Sequence, residues 1–218
     1  VSPGLTAERV YAALKRELKH GDLRPGDRLD PARLARELGA SPTPVRDALH
    51  RLLGEDLVHA RAHDGFHVPV PSEADLRDLY EWNRDLLLLA LRKAGGSAVP
   101  DPGVLSRQDS RAGDPEANAG DRDVASAVAG LFREIAASAA SRQLARAVQH
   151  ASDRLHPVRR VEAEAIAASW DEVASMRGAW AAGATGDLRR QIGAYHRRRV
   201  AGVVRLAPLL TTPGQGPG

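Results

Sequence analysis

The chain has 218 residues, of which 43% are hydrophobic and 27% charged, with a formal net charge of +3. That length supports one large or two small domains with real cores, and the small positive excess permits nucleic-acid binding without requiring it. The absence of cysteine excludes a disulfide framework and a thiolate metal site, and the longest apolar run, Leu86 to Leu91, is far too short to span a bilayer. No secretory leader is visible, so the expectation is a cytoplasmic protein with no membrane partner.

Residues 5–20 read as a first helix, with Val10, Leu14 and Leu18 as its buried stripe and Gly21 as its end. Pro25-Gly26 makes a turn, and Leu23 and Leu29 anchor the loop around it. His20, near the helix end, is a surface group. Asp30 can cap a second helix with Pro31 at its first position. Leu34, Ala35 and Leu38 form its apolar stripe, and Gly39 can end it. Ser41 can cap a third, again with proline, Pro42, at the first position. Val45, Ala48, Leu49 and Leu52 recur at helical spacing and should face inward. Thr43, Arg46, Asp47 and His50 then share another face. A hydroxyl, a guanidinium and an imidazole on one face are what a helix entering the major groove needs. A helical pair with a solvated polar face would show the same spacing.

Two neighbours strengthen the DNA reading. Residues 57–70 alternate on either side of Asp64-Gly65, a strong hairpin turn, with Val58, Ala60 and Ala62 before it and Phe66, Val68 and Val70 after it. Three helices followed by a hairpin make a winged helix-turn-helix, with Arg61, His63 and Gly65 near the wing tip. Residues 1–70 carry eleven Lys and Arg against ten Asp and Glu, a net of +1. The case for DNA therefore rests on where charges sit, not on bulk charge.

LRPGDRL, LARELGASPTPVRDALHRLL and the glycine-tipped hairpin resemble the N-terminal domain of the GntR family of bacterial transcription regulators. The resemblance covers roughly residues 5–70. It implies DNA-contact roles for Ser41, Thr43 and Arg46. Pro42 stands where relatives usually carry a DNA-contacting arginine, and His50 where another arginine is common. Losing a charge there weakens the attraction to phosphates.

Pro69 and Pro71 mark a domain boundary. Ser72 can cap the next helix, with Asp75 as the carboxylate of a capping box, and this helix should run to about Lys93. Leu76, Leu79, Leu86 and Ala90 give one apolar face. Trp82 and Leu89 widen it, which suits a helix central in a bundle or partly at a subunit contact. Gly95 to Gly120, rich in Gly, Pro, Ala and Asp, is expected to be mostly loop. Further helices follow from Asp121 to Ala140, from Leu144 to a stop before Pro157, from Val158 toward Trp180, and from Asp187 to Leu206. The tail from Thr211 is rich in Pro and Gly and should fray. The expected fold is mostly α: a winged helix-turn-helix over 1–70, an all-helical antiparallel bundle over 72–210, and a flexible tail over 211–218.

A DNA-binding unit followed by such a bundle resembles the FCD branch of the same family. The resemblance implies a dimerising, effector-binding domain, often with a divalent metal held by one aspartate and three histidines. Aligning that signature puts Ala129 and Arg133 at the first two ligand positions and Met176 at the third. Only His196 matches. Alanine and methionine cannot replace oxygen or imidazole donors, so no metal and no other cofactor is expected. Arg133 could instead grip a carboxylate in two-pronged fashion. Arg84 matches an arginine common in the first helix of that domain. The candidate effector site is Arg84, Arg133 and His196, with an anionic small molecule as ligand. His150 and His156, six apart, do not share a helical face. Arg197, Arg198 and Arg199 read as a solvated basic patch.

No nucleophile–base pair, phosphate loop or HExxH motif appears, and Glu162 with Glu164 lack a histidine at useful spacing, so an enzyme is not expected. The reading is a DNA-binding transcription regulator, expected to repress. A homodimer would read a pseudo-palindromic operator in double-stranded DNA under control of a small molecule. The alternative is a helical interaction or architectural protein that keeps the winged fold without sensing an effector.

Overall fold

The structure, a computed structural model, describes residues 3–62, 64–95, 123–166 and 170–211. His63, the stretch 96–120 expected as loop, and the tail beyond 211 lie outside the described residues. The described chain is mostly helical, with one small three-stranded antiparallel sheet. It divides into two compact units, one of residues 1–72 with 207–218 and the other of residues 73–206. No described helix is long and apolar enough to cross a membrane.

In the first unit, α1 (Pro3–His20) buries Val10, Tyr11, Leu14 and Leu18 on one face. It ends where Gly21 adopts φ +82°, a left-handed conformation that costs a residue with a side chain about 1–2 kcal/mol. Strand β1 (Arg28–Leu29) follows, then α2 (Pro31–Glu37). The Asp30 carboxylate accepts from the Ala32 and Arg33 amides at 3.3 and 3.1 Å, capping α2 as the sequence implies. Helix α3 (Pro42–Gly54) packs on both α1 and α2 through Val45, Ala48, Leu49 and Leu52, all buried. Each such leucine contributes about 2 kcal/mol by leaving water. The Tyr11 hydroxyl and Lys15 Nζ each donate to the Glu55 carboxylate at 2.7 Å, fastening α1 to the end of α3.

Strands β2 (His59–Arg61) and β3 (Gly65–His67) form the wing, paired His59 to His67, Ala60 to Phe66 and Arg61 to Gly65. Gly65 takes φ +79° at the turn. Two expectations need correction. The segment around Leu29 is not only a loop: β1 pairs with β3, giving the order β1-β3-β2. The backbone explains it, since Gly26 N donates to Val68 O at 3.0 Å and Val68 N to Asp27 O at 2.9 Å. Nor does β2 alternate. Val58 is buried, but His59, Ala60 and Arg61 are all exposed, because only β3 flanks this edge strand.

The second unit comprises α4 (Glu73–Lys93), α5 (Val124–Ser138), α6 (Arg142–Ala165), α7 (Trp170–Ala181) and α8 (Thr185–Thr211), the last extending past residue 206. Helix α6 packs on α4 and α5, and α5 also touches α4 and α7. Asp123 caps α5 by accepting from Ser126 N at 2.6 Å, and Ser141 caps α6 by accepting from Leu144 N at 3.4 Å.

Pro157 does not end a helix here. α6 runs through it to Ala165, and the single helix expected from Val158 toward Trp180 is divided between this continuation and α7, which begins at Trp170. The stripe Leu144, Val148, Ala151, Leu155, Val158 stays buried in one register across the proline. Burial of that stripe outweighs the one backbone hydrogen bond a proline forfeits. Pro208 likewise lies within α8, which passes the expected end at Leu206. Trp82 is 54% exposed and does not widen the buried face of α4.

Candidate nucleic-acid interface

Helix α3 sorts its residues by face. Thr43, Arg46, Asp47 and His50 are exposed, opposite the buried Val45, Ala48, Leu49 and Leu52. Among the described residues Arg46 makes no ion pair, whereas Arg33 is bonded to Glu37 at 3.0 Å and Arg51 to Glu8 at 2.7 Å. A guanidinium left without an anion on an exposed helix face is available to base edges or phosphates. Ser41 is exposed and in the extended conformation of a cap, but its side chain makes no capping bond. Its hydroxyl is thereby left for another acceptor or donor. Pro42 and Pro44 supply no N–H in the first turn of α3, so Thr43 carries the amide between them.

The wing meets the same helix. The His50 ring packs edge-on against Phe66 of β3, centroids 5.1 Å apart at 84°. This contact sets His50 against the sheet, and Phe66, expected only as an alternating residue of the hairpin, is its support. Arg61 and Gly65 are exposed at the tip of the hairpin, and His63 lies outside the described residues. His67 is buried, its Nε2 2.9 Å from Asp64 Oδ2, which ties the strand back to the turn. Ser41, Thr43, Arg46, His50, Arg61 and Gly65 are thus all solvent-facing residues of one small domain.

The expected effector residues are not gathered in this way. Arg133 is exposed on α5. Arg84 is half-buried and donates to its neighbour Asp85 at 2.8 Å. His196 is fully buried, stacked on Phe132 with centroids 5.7 Å apart. An exposed Arg133 and a sealed His196 do not line one site. Met176 is buried at the third aligned ligand position, and among the described residues no cluster of His, Asp or Glu could hold a metal.

A different set of polar residues fills the helical core. Asn83, Arg159, Glu162, His196 and Arg199 are all buried. Glu162 accepts from Tyr80 at 2.6 Å and from Arg199 Nε at 2.9 Å. Arg199 also reaches Glu172 at 2.8 Å and lies over the Tyr195 ring at 3.5 Å. Burial alone would lower its pKa, but Tyr195, Glu162 and Glu172 together raise it, so it stays charged. Arg199 is therefore not part of a solvated patch. It continues the inward stripe of Ile192, Tyr195 and Val203, while Arg197 and Arg198 face solvent and Arg198 pairs with Glu172. Burial also raises Tyr195 to about 12.

Asn83 Oδ1 accepts from Arg159 Nη2 at 3.1 Å and lies 3.1 Å from His196 Nε2. His196 Nδ1 is 2.8 Å from the Ile192 carbonyl. Sequence reasoning missed Asn83, Arg159 and Glu162, although the signal was present. Each stands three or four residues from apolar neighbours of its helix stripe, Asn83 from Leu79, Leu86 and Leu87, Arg159 from Leu155, and Glu162 from Val158 and Ile166.

Three helices, a glycine-hinged wing and a polar outward face on the third helix define a winged helix-turn-helix. Residues 6–68 match the family model for bacterial regulatory proteins of the gntR family, so this N-terminal domain is of gntR type. The chain is 36% identical over 92 residues to the HTH-type transcriptional regulator McbR of Escherichia coli K12, a match covering 42% of each chain. It is 28% identical over 105 residues to the E. coli K12 HTH-type transcriptional repressor GlaR, covering 47% of this chain and 48% of that one. It therefore aligns with less than half the length of these two curated relatives. A solved structure of E. coli McbR superposes with TM-score 0.68 at 24% identity, covering 94% of this chain and 98% of the other. A putative GntR regulator from Rhodococcus sp. RHA1 gives 0.72 at 21% identity over 91% and 97%. These relatives are named as transcription regulators, not enzymes.

Proposed function

We propose that this chain is a sequence-specific DNA-binding transcription regulator whose operator affinity responds to a small anionic molecule. The observation that carries the DNA reading is the outward face of α3, where Arg46 stands without an ion-pair partner among the described residues between Thr43 and His50. That face supplies donors and acceptors for base edges in the major groove. Arg61 and the Gly65 turn supply the wing's contact to phosphate or minor groove. Ser41, with its hydroxyl unused in capping, adds a contact at the start of the helix.

Activity as a homodimer on a pseudo-palindrome follows from the reading, because one α3 spans only one half-site. The helical unit is assigned dimerisation and effector binding, with repression as the outcome, in line with the name of one relative. The buried polar cluster supports an anionic effector better than the exposed Arg133 does. Selection of bound duplexes from a random library, using the full chain, tests the proposal. The expected product is a short two-fold sequence. Arg46→Ala should lower affinity for it by tenfold or more, roughly 1–3 kcal/mol, with much less loss on random duplex. Equal loss on both would reassign Arg46 to backbone contact, and recovery of no common sequence would remove the regulator reading.

A further inference from the structure

Asp47 is the single acidic residue of α3, and it lies on the face proposed to meet DNA. Thr43, Arg46, Asp47 and His50 form that face, with Asp47 at its centre, four residues after Thr43 and three before His50. It is exposed, and among the described residues its carboxylate has no hydrogen bond and no ion pair. A lone carboxylate brought up to a phosphate backbone is repelled by it. A surface that only gripped phosphates would carry a neutral or basic residue at that point.

The cation that would ordinarily answer Asp47 is present but turned away. Arg51 follows it by four positions, the spacing at which Asp and Arg pair along a helix. Arg51 instead donates to Glu8 of α1 at 2.7 Å, lies over the Tyr11 ring at 3.6 Å and stands 3.8 Å from Glu55. These three residues hold its guanidinium on the α1 side of the helix. The carboxylate of Asp47 is thereby left unneutralised at the middle of the outward face.

We propose that Asp47 reads sequence, accepting a hydrogen bond from the N4 amine of a cytosine in the major groove. This deepens the DNA-binding reading above and rests on it. A carboxylate offers acceptors alone. Guanine O6 and N7 and thymine O4 are acceptors too, so they repel it. Adenine sets its N6 donor beside the N7 acceptor, which repels the second carboxylate oxygen. Cytosine presents N4 with no acceptor of its own in that groove, and it is the base that fits. Arg46 is the converse, a side chain that only donates, suited to guanine O6 and N7. A wrong base opposite Asp47 therefore sets acceptor against acceptor and leaves the charge uncompensated. The side chain is short, and it stands where a helix laid in the groove comes closest to its floor.

The test selects duplexes from a random library with the full-length wild type, Asp47→Ala and Asp47→Asn. Fluorescence anisotropy then measures affinity for the recovered site with each of the four bases at the assigned position. The wild type should recover a two-fold site holding one C·G pair per half-site that Asp47→Ala no longer selects. Exchanging that cytosine should cost the wild type about tenfold in affinity. Asp47→Ala should bind all four sites within about twofold of one another and hold random duplex roughly threefold tighter, its repulsion removed. Asp47→Asn should prefer adenine there, since an amide meets N6 and N7 together. Urea unfolding should give the three proteins nearly one midpoint, because Asp47 has no partner in the fold. The proposal fails if Asp47→Ala selects the wild-type site unchanged, if the relaxed position is not cytosine, or if a lowered midpoint in both variants reveals a structural role. A wild-type site that survives Asp47→Ala intact overturns the role of Asp47 alone, whereas recovery of no common sequence by the wild type overturns the regulator reading and this one with it.

Discussion

Arg199 Nε stands 2.9 Å from Glu162 Oε2 with both side chains sealed from water. The pair joins α8 to α6, and Tyr80 on α4 donates to the other Glu162 oxygen. Cutting one member leaves a buried charge unanswered. Glu162→Ala should destabilise the protein by about 3–5 kcal/mol, read as a lower urea midpoint. The double replacement Glu162→Leu with Arg199→Met should recover most of that loss. No recovery would mean that Glu162 matters chiefly through Tyr80.

His50 offers a way to separate stability from DNA reading. Its ring lies edge-on to Phe66 across the groove between α3 and the wing. His50→Phe keeps an aromatic contact and should leave the unfolding midpoint nearly unchanged while weakening binding to the selected duplex. His50→Ala should cost about 0.5–1.5 kcal/mol in folding as well. Gel-shift titration beside urea unfolding reads both quantities.

The neutral state of His196 makes the fold acid-sensitive. Burial holds its pKa to about 3 against an ordinary 6.5. Between those values the unfolded chain binds a proton that the folded chain refuses, so stability falls as pH drops through that window and is fully present above it. The urea midpoint should decline from neutral pH toward acid, and His196→Gln should flatten the decline. An equally steep decline in that variant would assign the sensitivity to other groups. Glu55 adds a second acid-sensitive contribution, present above 4.5 and lost as pH falls through its lowered value. Its own burial opposes ionisation, but hydrogen bonds from Lys15 and Tyr11 hold its carboxyl below 4.5, so its contribution is lost only in stronger acid.

The wing tip yields a salt experiment. Gly65 adopts φ +79° with open space around it, so Gly65→Ala should cost about 1 kcal/mol in backbone strain without a clash. Arg61 is exposed beside it. Arg61→Ala should weaken binding to all duplexes alike and reduce the salt slope of log K by about 1. An unchanged slope would place Arg61 away from the phosphates.

The first unit was legible because its signals are local. Asp30 before Pro31, Gly39 after Leu38, and the spacing of Val45, Ala48, Leu49 and Leu52 each specify structure within a few residues, and the chain obeys them. β1 escaped notice because two residues carry no periodicity and their partner lies nearly forty positions on. In the second unit the local rules misled. Pro157 ordinarily stops a helix, but here the packed stripe on either side overrides it. Arg197, Arg198 and Arg199 look alike in sequence, and only the turn of α8 sends the third inward to Glu162. The polar core is built from α4, α6, α7 and α8, so pairings such as Asn83 with His196, 113 positions apart, are set by tertiary packing.

The prolines at the front of α3 bear on how the domain would meet a duplex. Rings at Pro42 and Pro44 lock two alternate positions of the opening turn near the helical φ. The reading surface is therefore rigid before contact, and docking requires no coil-to-helix transition. Calorimetry should accordingly show a modest negative heat-capacity change that scales with the area covered, well short of what a segment folding as it binds would give.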